Sequence, residues 1–230
     1  MKYNEVVPAV FIERINRFLA KVLVGGKFEM VHVRNSGRCR EILIPGTKIF
    51  LEKIGNLRNR KTKYSLISAY KGTKLINIDS QIPNDLVSNA LMEKSLPGID
   101  VGKDIKREVK YNNSRFDVMY HNHNSKGFIE VKGVTLEKNG IALFPDAPTL
   151  RGNKHVNELI YSSQKGFKNY IVFVIQMKGV HAFKPNDETD PAFGLALRKA
   201  HNEKNISIKA YDCIVKDKSI AIDRSIKILL

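Results

Sequence analysis

Residues 114–134 read SRFDVMYHNHNSKGFIEVKGV, two strand-like runs around a polar turn. The second run, FIEVKGV, sets Glu130 and Lys132 inside an otherwise apolar sequence. A strand covered on both faces is apolar nearly throughout, and an unpaired charge there is expensive. Side-chain alternation fixes where these charges go. In SRFDVMY, Arg115, Asp117 and Met119 point to one face and Phe116, Val118 and Tyr120 to the other. In FIEVKGV, Phe128, Glu130 and Lys132 share a face against Ile129 and Val131. Pairing the two strands through the turn at 121–127 sets Asp117 opposite Glu130, with Lys132 one step along.

Two carboxylates and a lysine on one sheet face are stable when something compensates the carboxylates, and a divalent cation does so with hard oxygen ligands. Phosphodiester cleavage uses the same arrangement. Asp117 and Glu130 hold Mg²⁺ or Mn²⁺, which polarises the phosphate and lowers the pKa of a bound water. Lys132 orients the attacking water or neutralises developing charge. The competing reading is a salt-bridged trio on a half-exposed sheet face, because ion pairs also perturb pKa values.

The surrounding sequence divides in two. Over residues 17–80, the runs RFLAKVLV, FEMVHVR, EILIPGTKIFLE, KYSLISAY and KLINID are separated by GG, NSGR, NLRNRKT and KGT. Five short strands in that length suit a small OB-like β-barrel. Residues 48–74 carry eight Lys/Arg and one acidic residue, with Tyr64 and Tyr70 interleaved. Such a groove suits nucleic acid, and a solvated hairpin with core tyrosines gives the same pattern. After IPND, a helix over 84–95 takes Asn84 as its N-cap. Strands DIKREVKY, SRFDVMYH and FIEVKGV follow, then a loop, a helix over 153–165 and the buried strand NYIVFVIQM. Asp190 caps a helix with Pro191 in its first position, and ISIKAYDCIV and SIAIDRSIKI complete the chain as strands. The expected fold is mixed α/β: an OB-like five-stranded barrel over 1–83, and a restriction-endonuclease-like α/β domain over 84–230.

The balance is strongly basic, 39 Lys+Arg against 23 Asp+Glu, net +16, which favours a polyanionic partner, nucleic acid before membrane. Cys39 and Cys213 stand far apart with no CxxC or Cys/His cluster, as expected of a reducing compartment. The apolar run VVPAVFI is too short for a signal peptide, so a cytoplasmic protein is expected.

The triad, set on adjacent strands after a helix and a first strand, resembles the PD-(D/E)XK nuclease motif. More widely, RFLAKV, HVRNSGR, EILIPGT, SRFDV, FIEVKGVTL, FPDAPTLRGNKHVNEL and the DPAFGLALRKA helix resemble the sugar fermentation stimulation protein A (SfsA) family over nearly the whole length. The resemblance implies an OB-like domain, a nuclease-like domain, and DNA binding linked to regulation of sugar-utilisation genes. An intact Asp and Glu-x-Lys set implies a metal-dependent nuclease as the alternative. Arg34, before Asn35, makes one loop more basic than the family pattern.

Other residues extend the candidate site. Asp146 is either a third metal carboxylate or a turn-stabilising residue beside Pro145. Arg151, Lys154 and His155 crowd a helix start, where free amides favour phosphate. His155, Glu158 and Ser162 form a stripe beside the buried Val156, Leu159, Ile160 and Ser163, and His155 is either a DNA contact or structural. Glu108 pairs with Lys106 or Lys110, or sits near the metal. Arg34, Asn35 and Arg38, with Arg58, Arg60, Lys61 and Arg115, are the remaining expected DNA contacts.

Overall fold

The computed structural model describes residues 1–35, 37–55, 60–102 and 104–230. They form two compact units: residues 1–82 with 176–179 and 213–221, and residues 83–175 with 180–212 and 222–230.

In the first unit, β1 (Glu5–Asn16), β2 (Leu19–Val24), β3 (Lys27–Val33), β4 (Lys48–Lys53) and β5 (Tyr64–Lys71) run in the order β3-β2-β1-β4-β5. A short parallel pairing, His32↔Ser65 and Val33↔Leu66, joins β3 to β5 and closes the sheet into a five-stranded barrel. β6 (Lys74–Asn77) pairs with β5 as a sixth strand outside that ring. The Gly25–Gly26 turn between β2 and β3 has φ of 53° and 79°, where glycine carries no Cβ penalty. Phe11, Ala20, Val22, Val31, Val33, Ile49, Leu51 and Leu66 are fully buried.

The expected five-stranded barrel is present, but its membership differs. β1 was not anticipated, because Pro8 and the charges Glu5, Glu13 and Arg14 obscure its pattern. Pro8 instead lies opposite Phe50 within the β1–β4 ladder. EILIPGT does not extend β4. Ile42 and Leu43 turn back onto the Cys39 carbonyl, and β4 starts only after Pro45–Gly46.

The second unit begins at α1 (Ile82–Met92). Asn84 lies inside this helix rather than capping it. Asp79 accepts the Gln81 amide at 3.0 Å, and Pro83 occupies the first turn, where its missing N–H costs nothing. The chain continues through β7 (Asp104–Tyr111), β8 (Ser114–Asn122), β9 (Ser125–Val134), β10 (Leu136–Lys138), β11 (Ile141–Phe144), α2 (Leu150–Gln164) and β12 (Asn169–Ile175). β13 (Ala182–Pro185), α3 (Pro191–His201), β14 (Ile206–Lys216), β15 (Ser219–Ser225) and β16 (Lys227–Ile228) complete the chain. The main sheet has the order β15-β14-β12-β9-β8-β7, with β12 parallel to both β9 and β14. Parallel neighbours need crossovers, and α2 and α3 supply them. β12 is therefore central and reads as a nearly continuous apolar run.

A second sheet, β10-β11-β13-β16, was not legible as strands because each member is only two to four residues long. α2 also starts earlier than expected, because Thr149 caps it, its hydroxyl accepting the Gly152 amide at 3.0 Å. Asp190 and Pro191 start α3 as their types require.

Gly127 in β9 is a sharp packing constraint, since a Cβ there would lie 1.6 Å from the Lys168 carbonyl oxygen. Backbone cannot yield to that contact locally. Gly127→Ala is expected to cost about 3 kcal/mol and lower Tm by roughly 10 °C. Gly55→Ala, where nothing lies within 4 Å, should stay within about 0.5 kcal/mol of wild type in the same melts.

Candidate metal and phosphate site

The site grows from an irregularity in the β8–β9 pair. The register sets Val118 opposite Ile129 and Met119 opposite Phe128. Strict alternation would then put Phe116 on the face away from Phe128, yet the two rings stack with centroids 4.7 Å apart and planes 29° apart. The side-chain phase therefore changes at Asp117, and the grouping of Arg115, Asp117 and Met119 on one face does not hold. Next door on β7, Glu108 takes a φ of 56°, between the pairs Arg107↔Val118 and Val109↔Phe116. The Asp117 carboxylate bonds to backbone here. Its Oδ2 accepts the Val131 amide at 2.7 Å, and its Oδ1 accepts Asn84 Nδ2 at 2.8 Å.

Glu130 is almost fully buried, at 1% exposure. Its Oε1 accepts from Lys132 Nζ at 2.5 Å and is also hydrogen-bonded to His155 Nδ1. Arg151 Nε donates to His155 Nε2 at 3.5 Å, which leaves Nδ1 as the protonated nitrogen facing Glu130. Burial pulls the Glu130 pKa upward, but Lys132 and His155 outweigh it and hold the group below the usual carboxylate range. Asp117 goes the other way. Burial first, then the neighbouring Glu130 charge, pushes it up to about 6 against the Val131 amide, Lys132 and Asn84. One carboxylate is ionised and locked while the other resists ionisation beside it.

One atom breaks the balance: Glu130 Oε2 is buried without a hydrogen-bond partner. A buried carboxylate oxygen normally has a donor or a cation. Two carboxylates, one raised by the other's charge and one with an orphaned oxygen, are a donor set suited to a hard divalent cation.

The structure sorts the remaining candidates. Asp146 is half-buried in the loop before α2. Among the described residues, no group of three or more His, Cys, Asp or Glu side chains is gathered as a metal site. His155 is 6% exposed and committed to Glu130, so it positions a carboxylate and cannot be a DNA contact. Arg34 is half-buried and ion-paired to Glu52 at 3.0 Å and Asp79 at 2.9 Å. Asn35 braces its own loop, donating to Ile78 O at 2.9 Å and accepting from Gly37 N at 2.6 Å. Both side chains are half-buried and engaged in these internal contacts. Glu108 pairs with Arg115 at 3.0 Å on the exterior, rather than with Lys106 or Lys110. Arg38, Arg60, Lys61, Arg115 and Arg151 are exposed, and Arg58 lies outside the described residues.

The sequence reading missed two roles. Asn84 was assigned to a cap and instead orients Asp117. His155, a DNA contact or a structural residue by sequence, holds Glu130. The only sequence signal was the apolar stripe of α2, which already placed His155 beside the buried Val156.

A closed five-stranded barrel and a mixed-sheet α/β unit with an Asp, Glu and Lys site define a two-module class of protein. The comparisons give the family. The model described as "Sugar fermentation stimulation protein RE domain" matches residues 81–219, and that described as "SfsA N-terminal OB domain" matches residues 12–78. The chain is 50% identical over 229 residues to a sugar fermentation stimulation protein homolog of Alkaliphilus oremlandii, covering 97% of each. It is also 50% identical to a homolog of Clostridium perfringens strain 13, covering 100% of both. The solved structure of Pyrococcus furiosus SfsA in complex with Ca²⁺ matches with a TM-score of 0.90 at 26% identity, over 100% of this chain and 98% of that one. The chain belongs to the SfsA family.

The raised Asp117 pKa has a definite sign. An acid whose folded pKa lies above its unfolded value contributes stability at low pH that is lost as pH rises. For Asp117 that loss falls between about pH 4 and pH 6. The penalty above this window is on the order of 3 kcal/mol. In chelator, Asp117→Asn should therefore be more stable than wild type by about 2 kcal/mol at pH 7.5, with the gain gone below pH 4. A flipped Asn84 amide preserves the hydrogen bonds in that variant. Paired denaturant melts across this range check it.

Proposed function

We propose that the chain is a nucleic-acid-binding protein, most readily of DNA, whose α/β unit holds Mg²⁺ or Mn²⁺ at Asp117 and Glu130 and directs it at a phosphodiester. The observation that carries this reading is the orphaned, buried Oε2 of Glu130. Ca²⁺ in the Pyrococcus furiosus relative supports a divalent site in the same fold. When bound, the metal supplies Lewis-acid polarisation of phosphate and a more acidic water.

The chain's own residues do the rest. His155 and Lys132 hold the Glu130 carboxylate in one orientation, leaving Oε2 as the donor. Asp117, anchored by Val131 and Asn84, gives up its proton when a cation offsets the Glu130 charge. The Lys132 ammonium, 14% exposed, is a fixed positive charge beside the carboxylates and can stabilise charge that develops on phosphate. The net charge of +16 brings the polyanion to a protein that acts in the cytoplasm.

The second reading is binding without cleavage, a DNA-binding regulator of sugar utilisation, in keeping with the relatives' name. It is favoured by the close pairing of Lys132 with Glu130, which occupies the ammonium.

Cleavage of single- and double-stranded DNA and RNA in Mg²⁺ or Mn²⁺ separates the two. Activity should appear in wild type and fall at least about 100-fold in Asp117→Asn, Glu130→Gln and Lys132→Ala. The two carboxylate variants should keep or gain affinity for nucleic acid, since each removes a negative charge. Mg²⁺ or Mn²⁺ should also raise the wild-type Tm by mass action and leave Asp117→Asn unmoved. Activity that survives all three substitutions belongs to a contaminant. A melt without any cation response removes the metal from this site.

A further inference from the structure

The outer face of the β2–β3 hairpin carries an unusual row of side chains. β3 alternates Val31 and Val33, fully buried, with Phe28, Met30 and His32 on the other side. β2 buries Ala20 and Val22 and turns Leu19, Lys21 and Leu23 outward. The register sets Leu19 against His32, Lys21 against Met30 and Leu23 against Phe28. Phe28 is 64% exposed, Phe18 53% and Met30 37%. Soluble proteins place single apolar residues on the surface freely, but contiguous ones mark interaction sites.

The rings are arranged, not scattered. Phe18 stacks on His32 with centroids 6.4 Å apart and planes 17° apart, and the Lys21 ammonium lies 4.8 Å from the centroid of Phe28. The Phe18 turn is rigidly held. The Arg14 guanidinium donates to the carbonyls of Arg17 and Arg38, each at 2.7 Å, and of Asn35 and Gly37, each at 2.8 Å. Phe18 itself donates its amide to Asn16 Oδ1 at 2.9 Å and accepts the Val33 amide at 2.9 Å.

We propose that this face is a stacking platform for the bases of single-stranded nucleic acid, with Phe18, Phe28 and His32 as the rings and Lys21 and Arg60 taking phosphates. Every base has a π-face, so flat exposed rings bind unpaired bases whatever the sequence, and interleaved cations track the backbone. In a duplex those faces are already stacked inside the helix, so the platform discriminates by strand type. Charge complementarity selects this occupant. Arg60 is exposed and close enough to His32 to help burial hold it neutral, the form suited to stacking. Lys21 also lies 3.9 Å from Glu13, an exposed pair that solvent screens.

This inference rests on the nucleic-acid reading above and adds the strand type. Fluorescence anisotropy with a labelled oligothymidine of about 20 nucleotides, against a duplex of the same length, tests it. Wild type should bind the single strand at least about tenfold more tightly, and Phe18→Ala and Phe28→Ala should each weaken that binding roughly 5- to 20-fold. Duplex affinity should stay within about twofold in both, and Arg60→Ala should reduce the salt dependence for either probe. All three side chains are exposed, so melting temperatures should not move. Equal losses on duplex, or an unchanged single-strand affinity in the Phe18→Ala, Phe28→Ala double variant, would overturn the platform alone. A wild-type dimer that Phe28→Ala converts to monomer would assign the face to a second copy instead. Failure of every probe to bind would overturn this inference and the nucleic-acid reading together.

Discussion

A carboxylate at 1% exposure in the middle of a sheet is the constraint around which the α/β unit is organised. Taking an ion out of water costs several kcal/mol even after relaxation, so Glu130 exists as an anion only with full compensation. Lys132 comes from the same strand, two residues along, where alternation guarantees a shared face. His155 comes from α2, the crossover helix that the parallel pairing of β9 with β12 requires. The topology and the electrostatics are thus one solution: the helix that permits the parallel sheet also delivers the group that holds Glu130. What it leaves undone, the second oxygen of Glu130 and the raised pKa of Asp117, is the part of the balance that a cation completes.

The barrel solves a different problem with similar means. Its interior charges are paired among themselves, Arg34 with Asp79 and Glu52, so they hold the fold and are lost to any ligand. The guanidinium of Arg14 is spent on backbone carbonyls, where it fixes the shape of two turns. Basic residues in this unit therefore divide into those that build and those that face outward, and net charge alone does not separate them. The same division explains why two expected phosphate contacts, Arg34 and Asn35, are engaged by partners within the barrel unit.

Legibility followed the length and regularity of the elements. β12 and α3 were readable because an apolar run and an Asp-Pro start are local signals. β1 was hidden by Pro8, and β10, β11, β13 and β16 are too short to show a period. For the site, types and spacing were enough to select Asp117, Glu130 and Lys132 as a group. Strict alternation does not bring Asp117 to Glu130, because the side-chain phase changes at Asp117 itself, beside Glu108 with its positive φ. The side chain reaches its place by accepting the Val131 amide, a contact no pattern of two could foresee.

By itself the sequence determined what depends on neighbours along the chain: charge, strand and helix periods, the pairing of Glu130 with Lys132, and the caps of α3. Only the tertiary structure decided what depends on partners far away in sequence. It chose His155 and Asn84 as the groups that orient the carboxylates, and turned Phe18 and Phe28 outward. The physical reason is that burial sets the cost of a charge and the value of a ring, and burial is a property of the packed chain. Asp117 is an ordinary acid in the sequence and a reluctant one in the fold, because only folding removes its water and places a second carboxylate beside it.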